Sequence, residues 1–139
     1  MVEVGLVIQE PWIDFIEQGL KTWEMRKKAT KKRGWIGLIR KGTGHVTGAA
    51  RLIDSRPALR SADHTRHFAE HRVPADPNAR FYSGGYLIPW VLEGAFHLPR
   101  PVPYQHKSGA VTWVRFSDHV ARQIWNQIVE ADPSELRSR

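Results

Sequence analysis

The sequence predicts an α+β domain: a small closed or half-closed β structure of about five to six strands with flanking helices. Three observations carry that expectation. Three strand-like segments follow one helix within the first 54 residues. A long aromatic run, Tyr86 to Leu98, alternates with the period of a strand. Near the C-terminal end, Val120, Ala121, Ile124, Trp125, Ile128 and Val129 form one helical stripe, which reads as cover for the sheet.

Taken in order, residues 1–10 hold a first strand, apolar from Val4 to Gln9 and ended by Pro11. Residues 11–19 read as a helix in which Trp12, Ile13, Ile16 and Leu20 recur on one face. Pro11 pre-sets φ at its first turn, and Gly19 accepts a positive φ past its last. The period then drops to two, so that Thr22, Glu24 and Arg26 point one way and Trp23 and Met25 the other. A basic loop reaches Gly34. Trp35 to Arg40 and His45 to Asp54 form a hairpin about Lys41-Gly42-Thr43-Gly44, and the small Gly48, Ala49 and Ala50 suit a sharply curved strand.

Residues 57–77 read as a polar, peripheral insert, helical in its middle, with Ser61 as N-cap and Asp76-Pro77-Asn78 as its end. After Gly84-Gly85 the aromatic strand presents Tyr86, Ile88, Trp90, Leu92 and Phe96 on an apolar face, with Glu93 and His97 on the other. Pro89 marks an edge or a bulge there. Pro99 to Pro103 is a stiff connector that delivers Tyr104 to Gly109 to a last strand, Ala110 to Phe116. Ser117 caps the helix of residues 117–131, and the tail after Pro133 is expected to fray. One domain accounts for residues 1–139.

The formal charge is +7, and six of the eight positions from Arg26 to Arg33 are basic. That clustering suits a polyanionic partner, while a basic run by itself equally suits a solvated, solubilising loop. The absence of cysteine excludes disulfides, thiolate zinc sites and cysteine nucleophiles, and fits a reducing cytoplasm. The start of the chain is acidic where a signal peptide is basic, and no segment approaches the ~20 apolar residues of a membrane span. The expectation is a cytoplasmic protein with no membrane partner and no cofactor.

The stretch Gly19-Leu20-Lys21-Thr22-Trp23-Glu24-Met25-Arg26 puts a carboxylate and a guanidinium side by side on one strand face, with Lys21 at the joint before them. Such a trio either pins helix to strand as an ion-pair network or faces a cleft. In a cleft, a carboxylate beside a lysine activates water and a guanidinium neutralises an oxyanion. Trp12, Trp35, Trp113 and Trp125 sit in apolar patterns and read as core. Trp23 and Trp90 lie on strands near basic residues, the setting in which unpaired bases stack for ~1–3 kcal/mol each. Tyr104 and His106, on a Pro-stiffened loop, are placed to contact the same ligand. The string His67-x-x-Glu70-His71, with His64 on the same helical face, matches an inverted zinc-protease motif. Arg66 and Arg72 flank it and no third carboxylate ligand is identifiable, so no metal is expected.

Gly19-x-Lys21-x-x-Glu24-x-Arg26, preceded by Pro11-Trp12 and followed by Arg33-Gly34-x-Ile36, Gly48 and Leu52-Ile53-Asp54, resembles the activating signal co-integrator homology (ASCH) domain. Trp90 and His106-x-x-Gly109-x-Val111-x-Trp113 are similar to its C-terminal half, so the likeness spans roughly residues 4 to 116. The resemblance implies a PUA-like β-barrel, an association with RNA and, in some members, small hydrolase or ribonuclease activity. One branch deacylates N4-acetylated cytidine with a lysine, a threonine three residues later and a distant glutamate. Lys21 matches that lysine, but Glu24 stands at the threonine position, and Thr22 lies one peptide from the lysine. The resemblance therefore implies an RNA- or nucleotide-binding cleft formed by Lys21, Trp23, Arg26, Lys27, Lys28, Lys31, Lys32, Arg33, Trp90, Tyr104 and His106. The alternative it implies is a hydrolase using Lys21, Glu24 and Arg26 on nucleic acid or an acylated nucleoside.

Overall fold

The computed structural model describes residues 2–74 and 85–137. Within them one sheet contains β1 (Val4–Ile8), β2 (Trp23–Arg26), β3 (Gly34–Arg40), β4 (His45–Ser55), β5 (Ile88–Pro103) and β6 (Trp113–Arg115). Their spatial order is β2-β5-β4-β3-β1-β6. The helices are α1 (Trp12–Glu17), α2 (Ser61–His64), α3 (Phe68–His71) and α4 (Asp118–Ala131). β1 and β3 run parallel because α1 and β2 carry the chain back between them; every other strand pair is antiparallel.

The sheet curls because its two longest strands do not stay in register. β4 and β5 slip at Val46/Gly48, Ala49/Arg51 and Leu52/Asp54. Each extra residue on one strand bends it and increases its twist. At the middle slip Gly94 adopts φ 64°, which a residue with a Cβ resists. The slip also changes which face the side chains meet. Trp90 and Leu92 join Leu6, Ile8, Ile36, Leu38 and the α1 residues Ile13 and Ile16. Leu98 and Val102 join Val7, Ile39, Val46, Ala49 and the α4 residues Ile124 and Ile128. The single apolar face expected along the aromatic strand thus holds only up to the bulge, and the sheet is buried on both sides.

Curling brings the edges β2 and β6 toward each other. Trp90 of β5 stacks on Trp113 of β6, with centroids 5.6 Å apart and planes 11° from parallel. Arg26 of β2 donates Nη2 to the Val7 carbonyl of β1 at 2.7 Å. The result is the expected half-closed barrel, with side chains closing the gap.

Several local expectations change. Leu20 is exposed, because α1 stops at Glu17 and Gly19, at φ 78°, turns the chain away from the sheet. Pro99 to Pro103 is part of β5, paired through Val102 and Pro103 with Val46 and His45, rather than a free connector. The last strand is shorter than expected and starts at Trp113. Ser61 opens α2 from inside, since the cap is Arg60 and no side chain bonds there. The tail is anchored as far as Arg137 by a 3-10 turn, Pro133–Arg137, in which Glu135 is buried and reaches Arg51 at 3.9 Å. The four tryptophans read as core, Trp12, Trp35, Trp113 and Trp125, are half-buried at its rim. Asp76-Pro77-Asn78 and Gly84 lie outside the described residues.

Candidate functional site

The turn after α1 sets the site. The backbone N–H groups of Leu20 and Lys21 both donate to the Phe15 carbonyl, at 2.9 and 3.0 Å. This tight reversal throws the Lys21 side chain inward, leaving the residue only 2% exposed. Its ammonium donates to the His71 carbonyl at 2.5 Å and lies 5.3 Å from the Trp12 ring centroid. Burial lowers its pKa to about 8; the Glu24 charge opposes that shift and the Arg26 charge adds to it. On β2, Glu24 Oε2 accepts from Arg26 Nε and Nη2, both at 2.9 Å. The guanidinium also rests over the Trp90 ring, 5.7 Å from its centroid. The three predicted groups therefore do meet at one bend, but Lys21 is capped by a carbonyl and Glu24 is spent on Arg26.

The cap belongs to α3. Thr22 N–H donates to the Glu70 carbonyl, and Arg72 Nε donates to the Leu20 carbonyl, each at 2.9 Å. Arg72 ends the helix at φ 59°, a left-handed position that turns its side chain back over the joint. His71 accepts the Val73 N–H at Nδ1, so Nε2 carries the proton donated to the His64 carbonyl. Desolvation pulls the His71 pKa down to about 4 and the His64 pKa below its usual value. The histidine string thus serves α3's docking: both ring nitrogens of His71 are engaged by backbone. His67 packs on Trp23 with centroids 4.8 Å apart. Among the described residues no cluster of three or more His, Asp or Glu has metal-binding geometry.

The basic loop contrasts with this joint. Lys27, Lys28, Lys31 and Arg33 are exposed and Lys32 half-buried. The backbone beneath them is tied down. Trp90 Nε1 donates to the Lys28 carbonyl at 2.8 Å, Thr30 N–H to Ser55 Oγ at 3.2 Å, and Lys32 N–H to Thr30 Oγ1 at 3.1 Å. Lys32 lies 3.6 Å from Glu3 and Arg33 3.9 Å from Asp54, both loose surface pairs. Among the described residues, Lys28 and Lys31 have no ion-pair partner.

The aromatic candidates separate. Trp23 is buried, with His67 against one part of its ring and the Arg56 guanidinium 4.9 Å from its centroid. Trp90 is buried between Arg26 and Trp113. Tyr104 and His106 are hydrogen-bonded to each other, Oη to Nδ1 at 2.8 Å, and Tyr104 packs against the α4 side of the sheet. They line a groove of about 860 Å³ with Lys107, Arg115, Phe116 and Val120. Lys21's neighbours Trp12 and His71 are not among its walls, so the structure does not bring Tyr104 and His106 to the joint.

Sequence reasoning missed a second charged constellation. Glu17, buried on α1, accepts from Thr47 Oγ1 at 2.8 Å and Arg40 Nη2 at 3.2 Å, and its Oε1 lies 3.1 Å from His97 Nδ1. Arg40 also reaches Asp14 at 2.6 Å and Glu10 at 2.8 Å. The Asp14 hydrogen bond leads in pushing its pKa up, so it stays charged. A Cβ on Gly48 would stand 2.4 Å from Glu17 Oε2, so the smallness read as strand curvature makes room for this carboxylate. The one signal available was Glu17's position a turn beyond Ile13 on the buried face.

The ASCH domain family model matches residues 6–110 of this chain, and no curated protein matches it. Solved structures similar to it include two mutants of ZmASCH from Zymomonas mobilis. One has a TM-score of 0.68 at 14% identity, with 89% of this chain and 94% of that chain covered. The other has a TM-score of 0.66 at 15% identity, covering 91% and 98%. The structure of ASCH from Zymomonas mobilis aligns with a TM-score of 0.64 at 15% identity, covering 92% and 94%. At such identity the structural likeness speaks for the fold, an α+β half-barrel, while the family match spans well over half of the sequence. This chain belongs to the ASCH domain family.

Proposed function

We propose that the protein binds single-stranded RNA or a nucleotide alongside the Gly19-to-Arg26 motif, with Lys27, Lys28, Lys31, Lys32 and Arg33 on phosphates. The observation that carries this reading is a loop of exposed cations whose backbone is fixed by Trp90, Ser55 and Thr30. A backbone held in place spares a ligand much of the ordering cost that a floppy lysine tail imposes. Arg26, anchored by Glu24 and the Val7 carbonyl, sets where that loop begins. Fluorescence anisotropy with a labelled RNA oligonucleotide, titrated across salt concentration, tests it. About five phosphate contacts on a single strand predict a log–log slope near −3.5. Affinity that ignores salt would end the proposal.

A hydrolytic reading draws on one further observation. A lysine whose pKa is brought down to about 8 beside a carboxylate is close to the range in which it acts as a general base. In this reading Lys21 takes a proton from water, and Glu24 and Arg26 hold the charges that develop; the His71 carbonyl must first release the ammonium. Incubation with an N4-acylcytidine and with labelled RNA tests it. Turnover that survives both Lys21→Ala and Glu24→Ala would rule it out.

A further inference from the structure

We infer that the groove between the Tyr104–Lys107 loop and β6 is a second nucleotide-binding subsite, which receives the continuation of a strand of RNA from the basic loop. The inference rests on the RNA-binding reading above and extends it to the opposite side of the sheet.

Three observations support it. The groove is an open concavity of about 860 Å³, the order of volume of a small-ligand site, and its cations come from two separate elements, Lys107 from the loop and Arg115 from β6. Among the described residues neither Lys107 nor Arg115 has an ion-pair partner, so both charges are available to phosphates. Tyr104 and Phe116 line the same groove. Tyr104 meets both His106 and Phe116 at 68°, so neither ring lies flat against it. A half-buried aromatic ring flanked by cations is the arrangement on which an unpaired base stacks while its phosphates are neutralised.

The groove is also joined to the basic loop. Lys32 pairs with Glu3, and the Glu3 carbonyl accepts the N–H of Phe116 at 2.9 Å. The next residue, Val4, stands opposite Arg115 in the β1–β6 ladder. β6 is the outer strand of the sheet beside β1, and Arg115 on it is exposed. Glu3 places a carboxylate against Lys32 on this route, and Asp118 lies in the first turn of α4, next to the groove residue Ser117.

The test compares labelled single-stranded RNAs of about four and about twelve nucleotides, lengths that bracket the span of a small binding face. Affinities and salt slopes are measured for the wild type, the Lys107→Ala/Arg115→Ala double variant and Tyr104→Leu. For the longer RNA the double variant is expected to lower the slope magnitude by about 1.4, two single-strand contacts, while the shorter RNA is unaffected. Tyr104→Leu is expected to weaken the longer RNA about five-fold or more. Thermal unfolding of each variant checks that folding is intact, and Tyr104→Phe, which keeps the ring, should bind the longer RNA with near wild-type affinity. Unchanged binding of the longer RNA by the double variant, alongside a normal wild-type slope, overturns the subsite and leaves the basic loop standing. No binding of either RNA by the wild type removes both. Displacement of the longer RNA by polyglutamate at equal charge concentration would reveal charge attraction without nucleotide recognition, and would also overturn it.

Discussion

Two clusters of positive charge lie within a dozen residues of each other and behave in opposite ways. At the joint, the cations of Lys21 and Arg26 are drawn inward and satisfied by the chain itself, through the His71 carbonyl, the Glu24 carboxylate and the Val7 carbonyl. In the loop, Lys27 to Arg33 keep their charges outside while the backbone is fastened down. The difference teaches that one continuous run of charges in the sequence is two devices. One closes a half-barrel by tying β2 to β1 and to the α3 segment; the other keeps its charges at the surface on a fastened backbone.

The largest effect that would break this comparison is expected at Glu24. Its removal leaves the Arg26 guanidinium, 16% exposed, without its counter-charge. Glu24→Ala should therefore cost about 3 kcal/mol of stability in denaturant titration, within the range for half-dismantled buried pairs. A loss of RNA affinity or turnover at unchanged stability would instead make the joint a ligand site.

The next is a pH effect at Lys21. Its pKa falls from 10.5 to about 8 on folding, chiefly through desolvation. Between those values the unfolded chain holds a proton that the folded chain has released, so stability rises with pH across this window. The full gain corresponds to about 3 kcal/mol. Lys21→Met should remove the rise, which denaturant melts at pH 8 and pH 10 would detect. A wild type whose stability does not change across the window would show the ammonium to be in contact with water.

The smallest effect sharpens the comparison from the loop's side. Lys28→Ala with Lys31→Ala touches no ion pair among the described residues and should shift stability by less than about 0.5 kcal/mol. The same double variant should reduce the RNA salt slope by about 1.4. A stability change larger than that for the joint variants would erase the distinction between the two clusters.

Much of this arrangement was legible in the residues. The α+β class, the turn at Gly19, the alternation that sets Glu24 and Arg26 against Trp23 and Met25, and the exposure of the loop all follow from periodicity and charge. What was not legible depends on long-range pairing. That His71, fifty positions away, supplies the carbonyl over Lys21 has no local signature. Trp23 and Trp90 sit in the pattern of a stacking platform, but His67 and Arg56 cover the first and Trp113 the second, and nothing near either residue in the sequence announces that cover. A Pro-stiffened loop suggests that Tyr104 meets the same ligand as the joint, whereas the slip of β5 sends that end of the strand to the other side of the sheet.

That slip has a consequence for how the molecule comes apart. Because β5 gives its first half to the core under α1 and its second half to the core under α4, neither core is complete unless the whole strand is in place. Loosening one layer withdraws support from the other, so the two sides should melt in a single cooperative step. Unbroken alternation from Trp90 and Leu92 would aim Phe96 and Leu98 at the α1 layer, so the extra residue at Gly94 is what lets one strand serve both cores.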